Sequence, residues 1–186
     1  MRTAGFVLVG GLSTRMGRDK ARLPFASGLL VESIAKKVKQ AAGSVCLVGG
    51  GARYRDLAID SIDDLRPRCG PLAGIEAALD TKRAEFNLIV ACDMPDLSSS
   101  WLEQLLAEAQ DRGSKCLISR DPAGVLHPLC GVWRSDSIGS VTEALNESRL
   151  RLLELVRDVD ADVLTSEQPL ANVNTPDEWN CWQLTR

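Results

Sequence analysis

Two short runs constrain the fold more than any other feature. AGFVLVG (residues 4–10) and FNLIVAC (86–92) are apolar almost without a break, and both stop at turn-forming residues. A strand that is apolar at successive positions buries both of its faces, so covering layers are needed above and below it. Between and after these runs lie segments with helical spacing. In LLVESIAKKVKQAAG (29–43), Leu30, Ile34 and Val38 share one face and Gly43 ends the helix. Further strands are read in SVCLVGG (44–50), LAIDSI (57–62), KCLIS (115–119) and LHPLCGVW (126–133). Helices are expected over about 136–146 and 149–157. Ser100 and Glu103 read as a capping box before Leu102, Leu105 and Leu106, and Thr175-Pro176-Asp177-Glu178 reads as a helix start. Strands alternating with helices predict an α/β chain, a three-layer sandwich around a mostly parallel sheet, and 186 residues suit one domain over 1–186. Ligands in such sheets sit beyond the carboxyl ends of the strands.

One stretch at such an end, LVGGLSTRMGRDK (8–20), combines Gly10-Gly11 with Ser13, Thr14, Arg15, Arg18 and Lys20. Glycines admit close approach of backbone N–H groups to anionic oxygens, and the cations add charge, so the stretch suits a phosphate chain. It is not a P-loop, because five residues separate Gly11 from Gly17 and Arg18 follows. The dinucleotide fingerprint is also missing here, and Gly49-Gly50-Gly51 fails it because Tyr54 replaces the third glycine.

Composition closes off other classes. A net charge of −3 leaves no electrostatic footprint for nucleic acid, and four Trp, three Phe and one Tyr make no base-stacking platform. The apolar runs are shorter than the roughly 18 residues of a membrane helix, and no signal peptide is read, so a cytoplasmic protein without membrane contact is expected. The cysteines at 46, 69, 92, 116, 130 and 181 are scattered without a CxxC and read as reduced thiols.

Asp93 follows the second apolar run. A carboxylate there, near a phosphate loop, suits Mg²⁺, which takes one or two protein oxygens plus substrate phosphates; a turn residue before Pro95 is the alternative. Asn172 and Asn174 alternate in an extended stretch and should face one side, as caps or as site groups. His127, the only histidine, reads as structural.

Taken together, LVGGLSTRMGRDK, GPLAGI (70–75), ACDMP (91–95), HPL (127–129) and NVNTPDE (172–178) resemble, in order, the motifs of the molybdenum cofactor guanylyltransferases. The family's loop reads Leu-Ala-Gly-Gly-x-Ser-x-Arg-Met-Gly-x-Asp-Lys, matched here except for Val9. The resemblance spans residues 5 to 179. It implies the Rossmann-like nucleotide-diphospho-sugar transferase fold and transfer of GMP from Mg·GTP to molybdenum-carrying molybdopterin, with release of pyrophosphate. By position it implies nucleotide contacts from Leu8, Val9, Gly10, Gly11, Lys20 and Asp93, and from Asp63 or Asp64, with Asp64 preferred. Asp93 would hold Mg²⁺ and Asn174 would face it, with Asn172 beside it toward the acceptor. Lys20 and Arg15 would stabilise charge developing on pyrophosphate. Gly49-Gly50-Gly51 stands where members carry an asparagine. Transient contact with molybdenum-insertion proteins or recipient molybdoenzymes is implied too. Cytidylyl relatives read Ala-Ala-Gly at Val9-Gly10-Gly11, so the second glycine favours guanine. A CTP or sugar-phosphate enzyme, a non-catalytic pterin-binding module and a nicotinamide oxidoreductase are the alternatives.

Overall fold

A computed structural model describes residues 2–11, 17 and 19–185. Arg15, with Ser13, Thr14 and Arg18, lies outside them. The strands are β1 (Thr3–Leu8), β2 (Pro24–Phe25), β3 (Gly28–Leu29), β4 (Cys46–Val48), β5 (Ser61–Ile62), β6 (Phe86–Ala91), β7 (Cys116–Arg120), β8 (Leu126–Arg134) and β9 (Asp162–Thr165). The helices are α1 (Leu30–Ala42), α2 (Pro71–Asp80), α3 (Ser99–Arg112), α4 (Ile138–Asn146), α5 (Leu152–Asp158) and α6 (Pro176–Leu184). β2 and β3 form a small hairpin, and the other seven strands form one sheet in the order β5-β4-β1-β6-β8-β7-β9.

The predicted layers are present. Val7 of β1 and Val9 just after it, with Leu88 and Val90 from β6, face a core built with Ile34 and Val38 of α1 and Leu102 and Leu105 of α3. Phe6 and Leu8, with Ile89, face the opposite core with Leu72 and Ile75 of α2 and Val141 of α4. Successive residues of one strand thus enter different cores, as uninterrupted apolar runs require.

Sheet register sets the position of the cleft. Leu8 of β1 pairs with Val48 of β4 and with Ala91 of β6, and Val48 pairs with Ile62 of β5. Four parallel strands therefore end at one edge. β1 lies between β4 and β6, so connections depart on both sides of it, which is where open α/β sheets leave a crevice. β8 runs antiparallel to β6 and β7, an orientation that an apolar run does not disclose. Its beginning, including Leu129, reaches the same edge.

Several expected boundaries move. LAIDSI narrows to the two residues of β5. The cap of α3 is Ser98, whose hydroxyl accepts from the Trp101 N–H at 3.2 Å, so Ser100 and Glu103 do not form the capping box. The box of Thr175 and Glu178 is present at α6, and Gly43 ends α1 in the left-handed region. α2, β9 and the β2–β3 hairpin are additional elements. No helix among the described residues is long and apolar enough to cross a membrane.

Candidate active site

A cleft of about 1010 Å³ opens over the strand ends. One end of it is built from three segments far apart in sequence. Lys20 opens a short 3₁₀ turn (Lys20–Arg22) capped by Asp19, whose Oδ1 accepts from the Ala21 N–H at 3.1 Å. The other Asp19 oxygen accepts from the fully buried Tyr54 hydroxyl at 2.7 Å, and burial, with Asp19 beside it, pushes the Tyr54 pKa far up, so it remains a donor. Arg22 adds a fork to Asp56 and a bond to the Arg53 carbonyl. The turn is thus fastened to the segment after β4, and Lys20 projects to Asp93.

Lys20 Nζ donates to Asp93 Oδ2 at 2.8 Å and to Asn174 Oδ1 at 2.9 Å. Asn174 Nδ2 donates to Asn172 Oδ1 at 2.9 Å, so the two asparagines do face one side. The Val173 N–H donates to the Asp93 carbonyl at 2.9 Å, and Glu178 of α6 accepts from the Asn174 and Thr175 N–H groups. The cap of α6 therefore fixes the stretch that carries both asparagines.

The second Asp93 oxygen, Oδ1, is buried and has no hydrogen-bond partner among the described residues. A buried carboxylate oxygen left bare is costly and marks a place for a bound group. Among the described residues, no group of three His, Cys, Asp or Glu could hold a metal. Asp93 Oδ1 and nearby amide oxygen suit a hard cation that draws its remaining ligands from a bound phosphate chain.

The other end of the cleft is walled by backbone. Gly10, Gly49 and Gly74 surround the Asp64 carboxylate. A Cβ at Gly49, which has φ +80°, would lie 2.9 Å from Asp64 Oδ1, and one at Gly10 would lie 3.4 Å from Asp64 Oδ2. Burial holds the Asp64 carboxyl above its usual range; neighbouring Asp63 adds to this and Arg53 opposes it. Arg53 donates from Nη2 to the Gly49 carbonyl at 3.2 Å and from Nε to the Gly50 carbonyl at 3.3 Å. Its guanidinium also lies over the Tyr54 ring. The Val9 and Gly10 N–H groups both donate to the Val48 carbonyl, at 2.9 and 3.2 Å.

A protein-family model described as the MobA-like NTP transferase domain matches residues 5–161. The chain belongs to that family. It is a nucleotidyltransferase. It is 32% identical over 188 residues to a molybdenum cofactor guanylyltransferase from Xanthomonas euvesicatoria, covering 95% of this chain and 92% of that one. Molybdopterin-guanine dinucleotide biosynthesis protein A from Archaeoglobus fulgidus shares the fold, with a TM-score of 0.83 at 22% identity, over 98% of this chain and 97% of that one. A Mycobacterium tuberculosis protein crystallised with manganese has a TM-score of 0.76 at 16% identity, and both chains are covered completely.

In this nucleotidyltransferase, Leu8, Val9, Gly10, Gly11, Lys20, Asp64, Asp93 and Asn174 all line the cleft. Asn172 reaches it through Asn174. Asp63 lies instead beside Gly51, where a Cβ would meet its Oδ1 at 3.1 Å. His127 is buried, 3.4 Å from Asp121 Oδ2, and does not line the cleft. Cys92 does, but burial and the adjacent Asp93 push its thiol up to about 12, so it stays neutral. Sequence reading missed Arg53 and Arg68, both on the cleft wall. The signal for Arg53 was its place three residues after a glycine run at a strand end; Arg68 had no local signal.

Proposed function

We propose that the chain transfers GMP from a divalent-metal complex of GTP to molybdenum-carrying molybdopterin in the cytoplasm, releasing pyrophosphate. The observation that carries this reading is the convergence of Lys20, Asp93 and Asn174 at one end of a cleft whose other end is bare backbone around Asp64. The named relatives and the chain's match to them along nearly its whole length support the choice of base and acceptor.

A cation on Asp93 would neutralise phosphate charge and align the triphosphate. Asp93 and Asn174 would hold it, and Mg²⁺ is the cation proposed. The remaining chemistry falls to the chain's own groups. The acceptor's terminal phosphate is already ionised at neutral pH, so no general base is needed, consistent with a histidine outside the cleft. An acceptor oxygen bonds to the α-phosphorus as the bond to the β-phosphate oxygen breaks, and that electron pair leaves with pyrophosphate. Lys20 stabilises the charge that grows there, pre-aligned by its hydrogen bonds to Asp93 and Asn174. Asn172 and Asn174 offer amide groups toward the acceptor. Asp64 and the strand-end backbone accept the guanine nucleoside; its buried polar groups would go unpaired with a wrong base.

Incubation with each nucleoside triphosphate and Mg²⁺, with and without molybdopterin, tests the reading through pyrophosphate release. Release is expected with GTP and the pterin together. Release with CTP instead, or with a sugar phosphate as acceptor, would replace the proposal with a sibling reaction.

A further inference from the structure

We propose that Glu76, buried in α2 and not among the residues that line the cleft, is a positioning residue for the nucleotide end of the cleft and acts through Arg66. The inference rests on the reading of that end as a nucleotide site. Residues 63–70 connect β5 to α2 and supply Asp64 and Arg68 to the cleft wall. Arg66 stands between those two. Its guanidinium forks onto Glu76, Nε to Oε2 at 2.9 Å and Nη2 to Oε1 at 3.0 Å. Nη1 donates to Asn146 Oδ1 of α4 at 2.7 Å. The Thr142 hydroxyl, also of α4, donates to Glu76 Oε1 at 2.9 Å.

Glu76 is 4% exposed, and its partners satisfy both oxygens. An ion pair between a buried carboxylate and a guanidinium that is 32% exposed adds little net stability, so its contribution is best sought in geometry. A fork fixes direction as well as distance, and this one ties the loop's midpoint to two helices at once. The loop needs such a tie. Arg68 has φ +63°, in the left-handed region that a side chain disfavours, and it persists only where its surroundings hold it. Release of Arg66 would let the Asp64 and Arg68 pair drift while Lys20, Asp93 and Asn174 stay fixed by their own hydrogen bonds.

Two variants test this in the full chain. Glu76→Gln keeps the volume and removes the charge. Arg66→Met with Glu76→Leu replaces the pair by apolar groups, which keeps the fold without the fork. Affinity for a non-hydrolysable GTP analogue, KM for GTP, kcat and thermal midpoint are measured for each, alone and with Asp64→Asn. The expected result is GTP affinity weaker by about tenfold, with kcat changed by less than about threefold. In the Asp64→Asn background the same changes should cost little more, because their effect runs through that loop. Unchanged GTP affinity, a loss confined to kcat, or full additivity with Asp64→Asn would overturn the proposal. Affinity is compared across all four triphosphates in the wild type. A preference for another base would refute the choice of GTP, and the Glu76 effect would then be read on that nucleotide by the same criteria.

Discussion

Replacement of Lys20 by Met separates what the reacting end does from what holds it. The variant keeps most of the side chain's length and apolar stem but removes the Nζ bonds to Asp93, at 2.8 Å, and to Asn174, at 2.9 Å. Lys20 and Asp93 are only 16% and 15% exposed, so solvent screens the pair weakly. Asp93 would then have neither oxygen paired. Loss of one charge-assisted hydrogen bond of this kind costs about 1.5–3 kcal/mol. In a chain of this size that lowers the thermal midpoint by roughly 3–12 °C. The catalytic loss should be larger. One preorganised charge facing a leaving group contributes on the order of 100-fold to kcat, which is about 2.7 kcal/mol of barrier. KM for GTP should rise only several-fold, because the proposed site holds much of the nucleotide along the Asp64 end. Steady-state pyrophosphate release, with thermal unfolding on the same samples, measures both. A variant that retains kcat within about twofold while its midpoint falls would show that Lys20 holds the fold and does not serve the chemistry.

Asp93→Asn should lower kcat on the order of 100-fold and recover part of it at raised Mg²⁺ or with Mn²⁺, because the amide keeps the shape but binds a cation weakly. Full activity at ordinary magnesium would place the metal elsewhere. Gly10→Ala should fold normally, since its methyl would meet Asp64 Oδ2 and the Gly49 carbonyl at 3.4 Å, ordinary contact. Its kcat/KM should fall roughly tenfold more for GTP than for CTP in competition assays, and equal losses would deny the glycine a role in base choice. Asp64→Asn should stabilise the unliganded chain at neutral pH. The folded carboxyl titrates above its unfolded value because of burial. The cost of its ionisation is therefore absent below the unfolded pKa of about 3.9, grows through the interval up to the raised value, and persists above it. Denaturant melts of both proteins at acid and neutral pH check this, and an advantage for the variant that does not shrink in acid would contradict it.

The parts of this account that sequence could supply are those with a local signature. Nearly unbroken apolar runs marked β1 and β6 because burial on both faces leaves few polar positions; Asn87 in β6 is tolerated because its amide donates to the Ala84 and Trp133 carbonyls. Thr175 and Glu178 marked the start of α6 because a capping box is contained in four residues. Lys20 and Asp93 stood out as a cation and a carboxylate beyond strand ends. Local rules failed where several residues satisfy one rule. Ser98, Ser99 and Ser100 all qualify as caps, and Glu103 pointed to the wrong one. The direction of β8 has no local signature at all. α2 was legible in principle, from Pro71 at its first turn and the spacing of Leu72, Ile75 and Leu79. β9 was not, because DVLT is a short, half-exposed strand at the sheet edge. Behind the cleft wall, the role of Arg66 could not be read because its partners lie ten and eighty residues away. The same holds for the contact of Lys20 with Asn174, which only the folded register creates.

The most direct test of the central claim follows the label of GTP marked at the α-phosphorus, in a reaction with Mg²⁺ and molybdenum-carrying molybdopterin. This label is expected to pass into a pterin dinucleotide, while a γ-phosphorus label leaves entirely as pyrophosphate. An α-label that stays with free GMP or GDP, or that reaches the pterin only from CTP, would contradict that claim.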